Sequence, residues 1–490
     1  MRIAFVTSEI TPFSKTGGLA DVSGALPQAL AAHGIEVTVF TPLYRSAAAV
    51  LAELGVTLEE TVGPTLWIGN ERHAVRWRQT VRDGVTLAFL ADDILYDRGS
   101  LYVGPDGHDF PDNVARFAFL CRAVLEHYLS TGTAPDIFHV NDWQTALIPV
   151  YLGTIYRRPA LASARSLLTI HNLAYQGRFA APQLFATSLD WSVFHAGALE
   201  FFGDLNLLKG GIVFADALTT VSPSYAEEIQ RPDLGNGLDG VLRAHRDKLT
   251  GILNGIDVRR WDPRTDPLLP VRYDAGNLRG KSACKAALQA RMGLPADPEQ
   301  FLLGAISRFD VQKGIPLIVD AMETISPLPV QLVVLGSGDA AIEARVRQLA
   351  AECPGRVGVQ IGFDEELAHL IEGGADAFLM PSAYEPCGLN QMYSHRYGTV
   401  PIVHATGGLR DTVTDYTPES LRAGTASGFA FAQFDAAQLT HAVLRAWRLY
   451  TTEPAAWRRL QELIMALDHS WETSASAYAD LYEHLVRGRA

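Results

Sequence analysis

Ser307-Arg308-Phe309-Asp310-Val311-Gln312-Lys313-Gly314 separates two segments of different periodicity. Before it, Phe301-Leu302-Leu303-Gly304-Ala305-Ile306 is a short apolar run, the pattern of a strand buried on both faces. After it, residues 315–322 carry apolar side chains at helical spacing, with Pro316 in the first turn, where a missing N–H removes no helical bond. The octapeptide is therefore expected to be a strand-to-helix crossover. In an open parallel sheet, such crossovers at the carboxyl ends of strands line the ligand crevice. Arg308 offers a planar fork to a phosphate and Lys313 a point charge, and the following helix adds partial positive charge at its start. The two cations suit a diphosphate. Taken alone, they equally suit two solvated loop side chains.

Outward from this stretch the same alternation repeats. In the second half, strands are expected at 301–306, 330–335, 357–361, 377–380 and 400–403, with helical segments between them. Gly336-Ser337-Gly338, Gly362-Phe363 and residues 381–391 each follow a strand. In the first half, strands are expected at 2–8, 35–41, 86–90, 136–140, 167–170 and 217–221, with a less regular region up to about 112. Their followers are the Gly17-Gly18 loop ahead of a helix reaching Ala32, Asn141-Asp142-Trp143-Gln144, residues 171–177, and Ser222-Pro223. Residues 261–278 are rich in Pro, Asp and Arg without periodicity, and the connection between halves is expected there. The fold class is α/β: two doubly wound, Rossmann-like parallel-sheet domains facing across a cleft. The expected boundaries are 1–255, 256–470, and a helix over 471–490 that packs back on the first domain.

Bulk properties narrow the function. A chain of 490 residues is too long for one core. It is 48% hydrophobic and 19% charged, with net charge −13, so neither nucleic acid nor an anionic membrane is an expected partner. There is no run of about 18 apolar residues, and the first nine residues do not have the form of a signal peptide. Four cysteines without a Cys-x-x-Cys pair suit a reducing cytoplasm. The Gly17-Gly18 loop is neither a dinucleotide fingerprint nor a P-loop, which argues against a nicotinamide dehydrogenase.

The most specific stretch is Pro381-Ser382-Ala383-Tyr384-Glu385-Pro386-Cys387-Gly388-Leu389-Asn390-Gln391. Pro386 restrains Glu385 to an extended conformation, and Gly388 permits close backbone approach before a helix. The chain here resembles the bacterial glycogen/starch synthases, retaining glycosyltransferases of the two-domain GT-B fold. The resemblance is carried by residues 15–22, 171–177, Gly211-Ile212 with Ala215-Asp216, Val221-Ser222-Pro223, residues 251–257, Ser307-Arg308-Phe309 with Gln312-Lys313-Gly314, residues 385–389 with Gln391, and residues 407–413. These run in order over nearly the whole chain.

The resemblance implies transfer of glucose, with retention, from ADP-glucose to the non-reducing 4-OH of an α-1,4-glucan such as glycogen. It implies no metal and no cofactor. By position, it implies that Arg308 and Lys313 bind the donor diphosphate and stabilise the leaving nucleotide, and that Glu385 meets the glucose hydroxyls. His171 is implied against the glucose, Gly18 on the phosphates, and Lys15 over the donor. Asp21 and Asn254 are implied as further donor contacts, with Cys387, Gly388 and Leu389 in the same motif. Phe363 resembles the position that stacks on adenine, and Tyr96, Asp142 and Trp143 match positions on the sugar and acceptor side. Two residues depart from the family pattern: Asn141 stands where a second His is frequent, and Phe363 where Tyr is common. The alternatives are a UDP-glucose-dependent synthase, another glucosyltransferase of this fold, and a glucan-binding protein on a decayed scaffold. The intact set of Lys15, His171, Arg308, Lys313 and Glu385 weighs against decay.

Overall fold

The computed structural model describes residues 1–325 and 327–488, so Arg489 and Ala490, the last of the expected C-terminal helix, lie outside it. The chain forms two compact units, Met1–Gly255 with Trp471–Ala490, and Ile256–Ser470.

The first unit is built on a nine-stranded sheet. Its strands are β1 (Arg2–Val6), β2 (Glu36–Pro42), β3 (Glu59–Ile68), β4 (Glu71–Arg82), β5 (Val85–Leu90), β6 (Ile137–Asn141), β7 (Arg165–Ile170), β11 (Ala217–Thr220) and β12 (Leu249–Gly251). A separate three-stranded sheet holds β8 (Arg178–Ala180), β9 (Glu200–Phe201) and β10 (Asp204–Asn206) in the order β8-β10-β9. The large sheet runs β12-β11-β7-β6-β1-β2-β5-β4-β3. Pairings from β12 to β5 are parallel, with Ile3 opposite both Val37 and Ile137. Strand order reverses at β1, whose neighbours are β2 and β6, so the crevice of a doubly wound sheet opens at the ends of β1 and β6. Helices α1 (Gly18–Ala32) and α2 (Asn113–Thr131) flank it.

The antiparallel hairpin β3–β4 is absent from the sequence expectation, and its composition explains why. β3 is mostly exposed, carries Pro64, and shifts register between Val62 and Thr65. An exposed edge strand blunted by a proline and a bulge shows no apolar run to find.

The second unit has one parallel sheet in the order β15-β14-β13-β16-β17-β18. The strands are β13 (Phe301–Phe309), β14 (Val330–Gly338), β15 (Val357–Ile361), β16 (Ala377–Met380), β17 (Val400–His404) and β18 (Phe429–Phe431). Order reverses at β13, between β14 and β16. The central strands are buried, which is why they read as continuous apolar runs. Helices α3 (Ile315–Ile325), α4 (Asn390–Tyr397) and α5 (Gly407–Thr412) begin just after strand ends.

Two boundaries differ from expectation. β13 continues through Phe309, so Arg308 lies on the strand rather than in the crossover. The stretch 261–278 is not a connection; Leu269, Tyr273 and Leu278 belong to the second unit's core. Its buried Tyr273 donates to the Tyr397 carbonyl at 2.8 Å.

Candidate active site

In the first unit, the loop after β1 is pinned from beneath. The buried Glu9 carboxylate accepts from Thr16 N (2.5 Å), Thr16 Oγ1 (2.6 Å), Gly17 N (3.2 Å) and Tyr102 Oη (2.6 Å). The Thr16 and Gly17 amides of this loop are thus already held by a carboxylate. Gly18 opens α1 on the exposed side of the loop, and nothing would crowd a Cβ at Gly18. Lys15, half exposed, reaches Asp21 at 2.7 Å. A long cation tethered to a partly exposed carboxylate is easily exchanged onto a bound anion.

The ends of β6 and β7 build the most ordered part of the unit. Asn141 Nδ2 donates to the Val6 carbonyl at 3.0 Å, which fixes its amide and turns Oδ1 toward His171 Nε2 at 2.9 Å. That nitrogen therefore carries the proton, and burial holds the imidazole neutral, with its pKa lowered to about 3. Asp142 Oδ1 accepts the His171 main-chain N–H at 2.7 Å. Burial pushes the Asp142 carboxyl up to about 7, against the opposing pull of the His171 and Asn172 amides. Asp142 also has φ 54°, a left-handed conformation that Asp tolerates better than most residues. Two consecutive polar residues at the end of β6 thus lock one neutral histidine just beyond β7. Asn254, just beyond β12, is buried with its Oδ1 lacking a hydrogen-bond partner, an arrangement a bound hydroxyl or amide would satisfy.

Two residues expected as ligand contacts are buried in this unit. Tyr96 is 0% exposed, and its hydroxyl donates to the Arg116 carbonyl at 2.7 Å, so it offers no surface to a sugar. Trp143 is buried edge-to-face against Phe117, with centroids 5.0 Å apart. Its ring lies so close under Gly177 that a Cβ there would overlap it. Trp143 thus supports the loop that leaves His171.

In the second unit, the loops after β13, β16 and β17 interlock. Gly314, with φ 68°, passes against the Pro381 carbonyl with no space for a side chain. Ala383 N donates to the Gln312 carbonyl at 2.7 Å, and Gln312 Nε2 donates to the Tyr384 carbonyl at 3.2 Å. Gly408 N donates to the Glu385 carbonyl at 3.1 Å, while Gly407 and Gly408 lie on the Glu385 and Cys387 backbone. This stitching sets Lys313 Nζ 2.6 Å from Glu385 Oε2, which also accepts from Ser382 Oγ at 2.9 Å. Arg308 is exposed near the end of β13, 3.5 Å from Asp310, whose carboxylate caps the Lys313 N–H at 2.8 Å.

Around this cluster, Cys387 is buried and Gly388 takes φ 72°. Leu389 precedes α4, and Asn390 Nδ2 donates to the Ile306 carbonyl at 3.0 Å. Gln391 Nε2 donates to the Cys387 and Gly388 carbonyls, both at 3.1 Å. Phe363 follows Gly362, which has φ 114°, and is 88% exposed beyond the end of β15. The second unit thus brings Arg308, Lys313, Glu385, Gly388 and Leu389 to one switch point: two cations, a carboxylate and helix-starting amides. That set suits a phosphorylated sugar. Ser382 and Glu9 were not singled out as site residues from sequence; a hydroxyl three residues before Glu385 was the available signal for the first.

Residues 2–244 match the family described as "Starch synthase catalytic domain", and residues 289–458 match "Glycosyl transferases group 1". Glycogen synthase of Anaeromyxobacter dehalogenans is 50% identical, with all of both chains covered. Glycogen synthase 1 of Methylococcus capsulatus is 47% identical, covering all of this chain and 97% of that one. Among solved structures, the catalytic domain of starch synthase IV from Arabidopsis thaliana, bound to ADP and acarbose, superposes with TM-score 0.89 at 33% identity, covering 99% of each chain. The chain belongs to the glycogen and starch synthase family, glycosyltransferases of the GT-B fold.

Proposed function

We propose that the protein is a glycogen synthase that uses ADP-glucose and extends the non-reducing 4-OH of an α-1,4-glucan with retention of configuration. The observation that carries this is the Lys313–Glu385 pair at 2.6 Å, set beside Arg308 where strand order reverses. In the reaction, the bond between the donor's C1 and its β-phosphate oxygen breaks and the pair of electrons leaves with ADP. The acceptor O4 bonds to C1 on the same face and passes its proton to the departing phosphate. Charge grows on that phosphate, so Arg308 and Lys313 act where charge develops, the place where preorganised donors contribute most. Glu385 holds Lys313 in position before the donor arrives and then accepts from glucose hydroxyls. Lys15 moves from Asp21 to the donor. His171, neutral and locked by Asn141 and Asp142, presents an uncharged face to a sugar ring that becomes electron-poor.

The exposed ring of Phe363 supports base stacking, and its lone aromatic face is consistent with adenine. The ADP bound in the starch synthase structure supports the same donor. The described residues include no helix long and apolar enough to cross a membrane, and the four cysteines are free thiols; the thiols support a reducing cytoplasm as the setting. The donor is tested with glycogen and labelled ADP-glucose against UDP-glucose. ADP-glucose is expected to be faster by tenfold or more, with Phe363→Ala raising its KM. Faster transfer from UDP-glucose would overturn both the donor and the role of Phe363.

A further inference from the structure

The small β8-β10-β9 sheet grows from the loop that leaves His171, and its hairpin tip is built against the usual rules. β9 and β10 are joined by two residues, Phe202 and Gly203, with Asp204 opposite Phe201. Both have positive φ, 52° and 86°, as a type I′ turn requires. Asn or Asp is the favoured first residue of such a turn, because a bulky side chain is strained there. Here that position holds a phenylalanine, and it is 82% exposed. Strain and an exposed ring together at one position point to function rather than folding.

The rest of the hairpin is rigid. Phe201 is buried, with the Arg178 guanidinium 5.1 Å above its ring and Arg178 paired to Asp204 at 2.9 Å. Gly203 N donates to Glu200 Oε1 at 2.8 Å. Lys209 Nζ donates to the Ala196 carbonyl at 2.6 Å and to the Glu200 carbonyl. The Phe202 ring packs T-shaped with Phe201, centroids 4.7 Å apart, and still leaves most of its surface open to solvent. At the other end of the sheet, the Gly177 carbonyl accepts from Leu207 N at 3.1 Å, tying the sheet to the His171 loop. The tip lies about five strand residues from Gly177, on the order of 15 Å.

We infer that Phe202 is a stacking platform for the α-glucan acceptor, holding sugar units several positions away from the end that reacts. An exposed aromatic ring matches the apolar face of a glucose ring, and hydroxyls around that face remain in water. The inference rests on the glucan-extending reaction proposed above. Its occupant is the polymer rather than the nucleotide sugar, so its effect falls on long acceptors.

The test compares wild type with Phe202→Asn and Phe202→Tyr, by mobility in glycogen-containing gels without donor and by KM for glycogen and for a short maltooligosaccharide. F202N suits the turn better than Phe, so its melting temperature is expected to equal or exceed that of wild type. F202N is expected to weaken glycogen retardation and raise the KM for glycogen three- to tenfold, with the short-acceptor KM changed less than twofold. F202Y keeps the ring and is expected to stay within twofold of wild type throughout. Equal retardation of F202N and wild type, in an enzyme that does extend glycogen, overturns the platform and leaves the transfer reaction standing. A wild type that neither binds nor extends glycogen overturns both.

Discussion

Asp142 shows how one residue links conformation, charge and site geometry. It takes a left-handed φ, is buried, and holds the His171 amide at 2.7 Å. Its carboxyl is raised to about 7 from an ordinary 3.8. A carboxyl raised in the folded state keeps its proton longer than the unfolded chain does, so its share of stability is lost as pH rises from about 4 through 7. Asp142→Asn keeps an acceptor for His171 N, tolerates the same φ, and removes the ionisation. The melting temperature of D142N relative to wild type is expected to rise by several degrees between pH 5 and pH 8, as read by calorimetry; an identical difference at both values would contradict the burial argument. Asn141 carries a second lesson at this scale. As a departure from a familiar motif it raised a question about the acceptor side, and in the structure it orients His171 instead. The sequence names such a residue, but only geometry shows which neighbour it serves. Tyr96 and Trp143 make the opposite point, since an aromatic beside a polar cluster looks the same in sequence whether it faces sugar or core.

At the scale of elements, the crossovers carry the site because glycine lets them touch. Gly314 combines φ 68° with backbone contact against Pro381, so Gly314→Ala is both strained and without space. A loss of about 2–4 kcal/mol is expected from the two effects together. Separation of Lys313 from Glu385 is also expected, with donor KM rising before the fold is lost; donor kinetics on the soluble variant check this, and wild-type KM would contradict the stitching account. The parallel strands that present these loops were legible because burial on both faces makes them continuous apolar runs. The β3–β4 hairpin was not, because an exposed edge strand has no such signature. The length of β13 was misjudged for a similar reason: Ser307 and Arg308 are polar, yet their strand pairing to Gly336 and Ser337, respectively, continues beyond the core.

Across the whole molecule, among the described residues, burial lowers the pKa of six histidines, four of them strongly. His139, His171 and His395 are lowered to about 3, and His469 to about 4. Two carboxyls go the other way, Asp142 to about 7 and Glu372 to about 8. Near pH 5.5 the unfolded chain protonates the four imidazoles that the native state leaves neutral, while the native state keeps two protons that the unfolded carboxyls release. The difference, four minus two, is about two protons taken up on unfolding. Stability therefore falls as pH drops through the range in which the unfolded imidazoles take up protons and the native ones do not, below about 6. Proton uptake during unfolding at pH 5.5, measured in buffers of different ionisation enthalpy, checks the sign; proton release would contradict it.

The division into two doubly wound sheets was readable from the repeated alternation alone. The proposed transfer chemistry rests on the Arg308, Lys313 and Glu385 cluster, and the most direct measurement addresses Lys313. Glucose transfer from ADP-glucose to glycogen is measured for wild type and Lys313→Ala, with melting temperature as the control for folding. Removal of one donor that acts on developing charge costs about 100- to 1,000-fold in turnover. A loss in that range with an unchanged melting temperature is the predicted result. A well-folded Lys313→Ala that turns over within tenfold of wild type would contradict the assignment of this cluster to the chemistry.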